Sequence, residues 1–216
     1  MLAGERGVIV YPLMERIFPP AKINLVVCIG EHSMKIFFDC EFTGLRKATT
    51  LISIGLVSDD NRAFYGVFND FDKSQVDDWI EEHVLKNLNK PFNISGLDLY
   101  QMEGNKSDIR LSLRFWFKQF DRVEIWSDCL AYDWVLFNDI FGHAFKIPEN
   151  VFYIPFDIST VFRVMGVDPD INREEFVEDN IRHLVSQDIP KHNALWDALV
   201  IRECYRRLSL MCPNLG

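Results

Sequence analysis

Two carboxylates lie two residues apart in an otherwise apolar segment of the chain. Asp39 and Glu41 are flanked by phenylalanines, and in a β-strand this spacing presents both acids on one face and Cys40 on the other. Two like charges buried side by side are costly unless a cation or a proton compensates them. Mg²⁺ and Mn²⁺ prefer carboxylate oxygens, so the pair indicates a divalent-metal site. A solvent-facing pair of acids is the alternative explanation of the same pattern.

A third acid, Asp133, follows an apolar strand predicted over 123–127 and lies in the first turn of a helix predicted over 131–141. A carboxylate at this position also stabilises the helix dipole, so position alone does not make it a metal ligand. Asp128, at the end of the strand, is a rival for the same role. Asp133 is favoured because three apolar residues follow it and hold it against the sheet.

A histidine and a fourth acid lie near the start of the last predicted helix, over 192–210. His192 and Asp197 are five residues apart, which at about 100° per residue does not place them on one helix face. Pro190 ends the preceding segment, so we expect His192 at the junction of loop and helix and Asp197 one turn inside. The ordinary pKa of a histidine suits a general base. A terminal helix residue without a chemical role is the alternative for His192.

The elements that must position these residues follow from the periodicity of the apolar side chains. Strands are predicted over 35–42, 50–58, 63–67, 123–127 and 151–156, and the first three form an antiparallel meander. Further helices are predicted over 74–88, 107–120, 157–165 and 173–184, with a loop over 90–106. Strands that come first and then alternate with helices predict an α/β fold, with a mixed sheet flanked by helices.

The motifs DCEFTGL, Tyr132-Asp133 and HNALWDA occur in this order, and together they resemble the DEDDh 3′→5′ exonucleases of the ribonuclease H-like superfamily. The resemblance spans 34–210 and is strongest to a compact bacterial group of 3′–5′ exoribonucleases. It implies a ribonuclease H-like mixed β-sheet, with an antiparallel meander plus parallel strands, flanked by α-helices. One departure concerns the residues before the middle acid. The family often has an asparagine where this chain has Asp128 and Cys129, which puts the nucleotide contacts there in doubt.

The resemblance also implies a two-metal hydrolysis with Mg²⁺ or Mn²⁺. In the family pattern Asp39 bridges both ions, Glu41 and Asp197 complete one site, and Asp133 holds the second ion. His192 takes a proton from the attacking water. The substrate is the 3′ end of single-stranded RNA or DNA, and the product is a nucleoside 5′-monophosphate.

The segment directly after the metal strand is predicted to contact the substrate, through Phe42, Thr43, Gly44, Leu45 and Arg46. A glycine lets the backbone approach a nucleotide closely, and an apolar side chain can wedge against the terminal base. A second basic feature is a stripe of one helix, formed by Lys106, Arg110, Arg114 and Lys118. Such a stripe either follows a phosphate backbone or is the solvated surface of the helix.

The composition limits the classes of protein that fit. The 216 residues are 48% hydrophobic and 25% charged, which is typical of a folded globular protein. No apolar run approaches the ~20 residues of a membrane span. The net charge of −9 argues against a surface that binds nucleic acid through phosphates alone. The five cysteines are odd in number and widely spaced, which favours a reducing compartment such as the cytoplasm over a disulfide framework.

We expect one catalytic domain over 34–216, preceded at 1–33 by an extension or a packed arm. Several alternatives remain open at this stage. They are a DNA exonuclease or an oligoribonuclease of the same superfamily, a ribonuclease H-like endonuclease, and a non-catalytic nucleic-acid-binding module on this fold. A homodimer is also compatible with the resemblance.

Overall fold

The computed structural model describes residues 33–88, 94, 96–181 and 191–212. The predicted N-terminal extension lies outside the described residues except for Ser33, so its boundary remains a prediction. The first strand begins at Met34, where the catalytic domain was predicted to start. No helix of the described residues is long and apolar enough to cross a membrane.

Within the described residues, six strands form one mixed sheet in the order β4-β3-β2-β1-β5-β6. Their bounds are β1 Met34–Phe42, β2 Leu51–Ser58, β3 Arg62–Phe68, β4 Asp98–Gly104, β5 Val123–Ser127 and β6 Phe156–Asp157. The pairs β1–β2 and β2–β3 are antiparallel, whereas β1–β5, β3–β4 and β5–β6 are parallel. The meander and the parallel strands confirm the predicted mixed sheet.

Helices cover both faces of the sheet. Their bounds are α1 Asp78–His83, α2 Lys106–Phe117, α3 Asp133–Ile140, α4 Ile158–Val164, α5 Arg173–Phe176, α6 Glu178–Ile181 and α7 Ala194–Met211. Successive side chains along the strands point into two apolar cores, one on each face of the sheet. One core joins Phe37 and Val57 to α7, and the other joins Phe38 and Ile54 to α2 and α3.

Helix α7 lies directly against β2 at two points. Near its start, the backbone of Ala194 comes so close to Gly55 that a Cβ added there would lie 2.3 Å from the Ala194 carbonyl oxygen. Further along, the buried Arg202 donates hydrogen bonds to the Ser58 carbonyl (3.2 Å) and to Asn61 Oδ1 (2.8 Å). The helix is therefore fixed to one strand both at its start and in its middle.

Four predicted elements differ from the structure. The strand predicted over 151–156 consists of an isolated bridge at Val151 and the two-residue β6. The helix predicted over 173–184 is divided into α5 and α6, and its predicted end lies outside the described residues.

The other two differences lie earlier in the chain. The helix predicted over 74–88 is broken into a 3₁₀ turn, α1 and a second 3₁₀ turn, because Asp77 rather than Ser74 caps α1, accepting a hydrogen bond from the Ile80 amide (2.9 Å). The loop predicted over 90–106 contains β4, an edge strand parallel to β3. Most β4 side chains are exposed or half-buried, so the strand lacks the apolar alternation that indicates strands in sequence.

Candidate metal centre

The two acids of β1 lie on the face of the sheet that α7 covers. Asp39 pairs with Gly55 of β2 and Glu41 pairs with Ser53, while Cys40 points into the opposite core. The predicted alternation of the strand is therefore present. Each of Asp39, Glu41 and Asp197 offers one carboxylate oxygen, and these three oxygens lie within 4.8 Å of one another. All three side chains are only half-buried, so the cluster is open to an ion from solvent.

Asp197 reaches this cluster because it lies in the first turn of α7. Asn193 caps the helix, and its Oδ1 accepts hydrogen bonds from the amides of Leu195 (3.1 Å) and Trp196 (3.3 Å). The Asn193 Nδ2 donates to the Tyr65 hydroxyl at 3.2 Å, which ties the start of the helix to β3. The cap and the contact with Gly55 together hold the fourth acid beside the β1 pair.

Asp133 approaches the same site from the other edge of β1. The parallel pairing of β1 with β5 ends at Phe37 and Trp126, so the next amide on that edge, that of Cys40, has no strand partner on β5. The Asp133 carboxylate is the acceptor instead, with Oδ1 3.0 Å from the Cys40 nitrogen. Cys40 lies between Asp39 and Glu41 in β1, so this bond places the buried Asp133 carboxylate beside both acids.

The rival acid, Asp128, has a different partner. Its carboxylate accepts hydrogen bonds from Arg173 Nε (2.7 Å) and Arg173 Nη2 (3.1 Å), which is a two-point ion pair. The Ser159 hydroxyl donates to it as well. The structure therefore brings Asp133, and not Asp128, to the β1 acids.

The acidic cluster is electrostatically costly without a cation. Burial raises the pKa of Glu41 to about 8, with Asp197 and Asp133 adding to the shift. Burial also raises the pKa values of Asp133 and Asp197 to about 7. The pKa of Asp39 is raised well above its usual range by burial and by Asp197, Asp133 and Glu41. A hard divalent cation relieves this repulsion and takes oxygen ligands, so the four acids suit Mg²⁺ or Mn²⁺.

His192 lies at the junction before α7, as predicted, and its backbone has φ +61°. Its ring packs edge-on against Trp79 of α1, with centroids 4.9 Å apart, and lies 6.3 Å from the His83 ring. Burial lowers the pKa of His192, and the charges of His83 and Lys191 lower it further. In this structure the His192 imidazole therefore packs beside Trp79 and His83 of α1.

The comparisons with known proteins bear on this arrangement of acids. No family model matches the chain. A curated 3′-5′ exoribonuclease of Mycobacterium tuberculosis, found in strains CDC 1551 and H37Rv, is 32% identical over 120 residues, which cover 55% of this chain and 67% of the relative. The chain belongs to the 3′–5′ exoribonuclease family. The prediction of a 3′→5′ exonuclease is confirmed by this membership.

Solved structures agree with the family at the level of the fold. The nuclease domain of 3′hExo, a DEDDh family member bound to rAMP, superposes with a TM-score of 0.54 at 14% identity, covering 87% of this chain and 96% of that one. Schizosaccharomyces pombe Pop2p, in a form with Mg²⁺ and Mn²⁺ bound, has a TM-score of 0.54 at 13% identity, covering 84% of this chain and 85% of that one. The ribonuclease H-like fold is therefore confirmed.

In this family member, the segment predicted to contact the substrate begins as β1 ends. The Phe42 ring stacks on Tyr132 at 5.6 Å, and Gly44 has φ +120°, a conformation that favours glycine. Leu45 is 77% exposed. Thr43 is fully buried and its hydroxyl donates to Gln75 Oε1 at 2.7 Å, which braces the segment.

The basic stripe lies on α2, whose apolar face packs on the core on the opposite side of the sheet from Asp39 and Glu41. Lys106 forms an ion pair with Asp139 of α3. Arg114 donates to the Lys146 carbonyl, and its guanidinium lies 5.1 Å from the centroid of the Phe141 ring. These two cations of the stripe therefore have partners within the protein.

Glu174 of α5 is a site neighbour that the sequence does not single out. Its carboxylate accepts a hydrogen bond from Trp196 Nε1 (2.8 Å) and lies 3.3 Å from Lys191 Nζ. Its charge contributes to the raised pKa of Asp197. It belongs to a different helix from every predicted site residue, so only the folded chain reveals its proximity.

Proposed function

We propose that this protein is a metal-dependent 3′→5′ exoribonuclease that removes nucleoside 5′-monophosphates from the 3′ end of single-stranded RNA. The observation that carries the proposal is the convergence of Asp39, Glu41 and Asp197, with oxygens within 4.8 Å, beside the strand-bound Asp133. The preference for RNA rests on the name of the Mycobacterium tuberculosis relatives. A DNA exonuclease or an oligoribonuclease would use the same acids.

We assign each carboxylate a role in holding the metal. Asp39, at the centre of the cluster, would contact two divalent ions. Glu41 and Asp197 would complete the ligands of one ion, and Asp133 would hold the other ion through water. When bound, two such ions polarise the scissile phosphate and lower the pKa of a coordinated water.

We further assign the proton transfer to His192. A general base must come within hydrogen-bond reach of the attacking water, and groups in free enzymes often close that distance only when substrate binds. The ring packs on Trp79 in this structure, so it would have to leave that position to reach the carboxylates. Burial lowers the pKa of His192, which favours the neutral imidazole that a general base requires.

We also assign the exposed part of the segment after β1 to the terminal nucleotide. Leu45 would pack on the base, and Gly44 would let the backbone approach the nucleotide closely. Phe42 would hold the start of the segment through its ring stack with Tyr132. Arg46 is exposed and follows directly, so its charge is available to a phosphate. Thr43 would act by holding this segment in place.

The proposal is tested with single-stranded RNA and DNA oligonucleotides of one sequence, labelled at the 5′ end and incubated with Mn²⁺ or Mg²⁺. We expect a ladder that shortens one nucleotide at a time, faster on RNA, and strong inhibition by a 3′-phosphate. The Asp197→Asn variant is the matched inactive control. Rapid cleavage of a circular RNA would support an endonuclease instead, and binding without hydrolysis under every metal condition would support a non-catalytic module.

A further inference from the structure

The loop that joins β1 to β2 contains the residues assigned to the terminal nucleotide, but it lies outside the sheet. The last pair of the β1–β2 ladder is Phe42 and Leu51, so residues 43–50, the β1–β2 loop, lie beyond it. The tip of the loop, at Arg46 and Lys47, is exposed. A loop that binds a nucleotide in one conformation needs contacts that hold it beforehand, because otherwise the binding step bears the entropic cost of ordering it.

Gln75 supplies such contacts from a different part of the chain. It is a half-buried residue of the 3₁₀ turn Lys73–Gln75, which follows β3. Its Oε1 accepts a hydrogen bond from the Thr43 hydroxyl at 2.7 Å, and its Nε2 donates to the Ala48 carbonyl at 2.9 Å. One side-chain amide therefore joins the first residue of the β1–β2 loop to a residue near its end.

The turn that presents Gln75 is bonded to the same loop. Asp72 caps the turn, and its Oδ1 accepts a hydrogen bond from the Ser74 amide (3.0 Å) while its Oδ2 accepts one from Gln75 Nε2 (2.9 Å). The Asp72 amide donates to Thr50 Oγ1, and the Thr50 amide donates to Thr43 Oγ1, both at 2.9 Å. Thr43, Gln75, Asp72 and Thr50 thus form a closed ring of hydrogen bonds, and a fully bonded network of this kind rigidifies the segments that it joins.

We propose that Gln75 is a positioning residue of the exoribonuclease, which holds the β1–β2 loop in the conformation that receives the terminal nucleotide. The inference rests on the proposed function, because it takes Gly44 and Leu45 as nucleotide contacts. The metal centre is held by different contacts, since Glu41 pairs with Ser53 within the strand ladder. Loss of the Gln75 side chain therefore weakens nucleotide binding and leaves metal binding intact.

Limited proteolysis measures the order of the loop without reference to catalysis. Trypsin cleaves after Arg46 and Lys47 at the loop tip, and cleavage after the exposed Arg163 of α4 provides the internal standard. Gln75→Ala should increase the ratio of loop cleavage to this standard roughly tenfold, because the lost hydrogen bonds raise the population of the open loop. Asp78→Asn is the matched control, since Asp78 is exposed at the start of α1 and should leave the ratio unchanged. An unchanged ratio in Gln75→Ala would overturn the proposal.

Kinetics on single-stranded RNA with Mn²⁺ test the consequence for the reaction. Gln75→Ala should raise KM roughly tenfold and leave kcat within about twofold, because the cost of ordering the loop is added to the binding step. Calorimetric titration should give the wild-type affinity for Mn²⁺. A wild-type KM in Gln75→Ala, or a loss confined to kcat, would refute the positioning role alone. A wild-type protein that degrades no RNA would instead refute the proposed function, and the trypsin ratio would still report on the loop.

A reversed hydrogen bond distinguishes the bridging of the loop from simple stability of the turn. Gln75→Glu keeps the acceptor for the Thr43 hydroxyl but places a carboxylate against both the Ala48 carbonyl and Asp72. Adding Asp72→Asn supplies an amide donor to that carboxylate and restores the net charge, so the turn regains its bond while the contact with Ala48 stays lost. We expect KM and loop cleavage to remain raised in the double variant. A return of both to wild-type values would show that Gln75 stabilises only its own turn, and the proposal would fail.

Discussion

Asp39 lies directly opposite Gly55 in the antiparallel pair of β1 and β2, and the missing side chain of Gly55 is the space that the start of α7 occupies. The glycine therefore has a role in the site although it carries no functional group. It lets the helix backbone approach the strand closely enough for Asp197 to join the β1 acids. The four acids come from β1, α3 and α7, and their assembly thus depends on a residue of a fourth element, β2.

Replacing this glycine should damage stability and metal binding together. A Cβ at position 55 would lie 2.3 Å from both the Ala194 oxygen and the Leu195 nitrogen, so Gly55→Ala must push α7 outwards. We expect a loss of unfolding free energy of at least about 1–3 kcal/mol, as for other overpacked cores. We also expect weaker Mn²⁺ binding in calorimetric titration. Gly66→Ala is the control, because its Cβ would crowd side chains of the opposite core; equal loss of Mn²⁺ affinity in both variants would contradict this role of Gly55.

The metal assignment is tested by comparing two aspartates. Asp39→Asn should abolish hydrolysis and weaken Mn²⁺ binding, because it removes the charge at the centre of the cluster. Asp128→Asn removes an acid that is paired with Arg173, so we expect a lower Tm but retained Mn²⁺ affinity. Calorimetry on both variants measures the difference. Unchanged Mn²⁺ affinity in Asp39→Asn would exclude this cluster as the metal site.

The metal-free protein should lose stability as the pH rises. Glu41 has an ordinary pKa of 4.5 that is raised to about 8 in the folded chain, and those of Asp133 and Asp197 rise from 3.8 to about 7. Between these values the folded state binds more protons than the unfolded state, so the free energy of unfolding falls with rising pH. We expect the Tm in a metal chelator to fall between about pH 5 and 8, and the fall to be smaller in Glu41→Gln.

Adding Mn²⁺ should reverse that trend, because the ion binds the deprotonated acids of the folded chain. A metal concentration 100 times the Kd stabilises the folded state by about 2.7 kcal/mol. The gain in Tm should therefore be larger at pH 8 than at pH 5. A Tm in chelator that rises over this interval would show that the four acids do not repel one another as the structure indicates.

Kinetic measurements distinguish a role of His192 as general base from a role in packing alone. His192→Ala should lower kcat by roughly 10²–10⁴-fold with Mn²⁺ binding retained, if the imidazole takes the proton of the attacking water. The acidic limb of the kcat–pH profile should flatten as well. His83→Ala is the matched control, since His83 belongs to the same ring cluster and is exposed. Near wild-type kcat in His192→Ala would assign the proton transfer to another group.

The sequence alone predicts the parts of the site that local periodicity determines. The alternation of β1 fixes the common face of Asp39 and Glu41, and the first turn of α7 contains Asp197 as expected. The sequence also favours Asp133 over Asp128, through the apolar residues that follow it, but it does not reveal the partners of the two acids, namely the Cys40 amide and Arg173. No local pattern contains these contacts, because the partners are distant in the chain.

Other features could not be predicted from the sequence, for related reasons. Strand β4 pairs along the sheet edge with mostly polar, exposed side chains, so its stability comes from the ladder with β3 and not from an apolar face. The docking of the His192 ring on Trp79 joins residues more than a hundred positions apart. A glycine in a strand predicts a close approach in general, but it does not identify the helix that comes near.

The two contacts of α7 with β2 have a consequence for how this protein tolerates change. Gly55 receives the start of the helix, and the Ser58 carbonyl accepts a hydrogen bond from Arg202 farther along it. These contacts with the strand, together with the Asn193 cap, therefore determine where Asp197 lies. We expect related sequences to differ in length before Lys191 without moving the fourth acid, because both contacts with β2 lie within or at the start of α7.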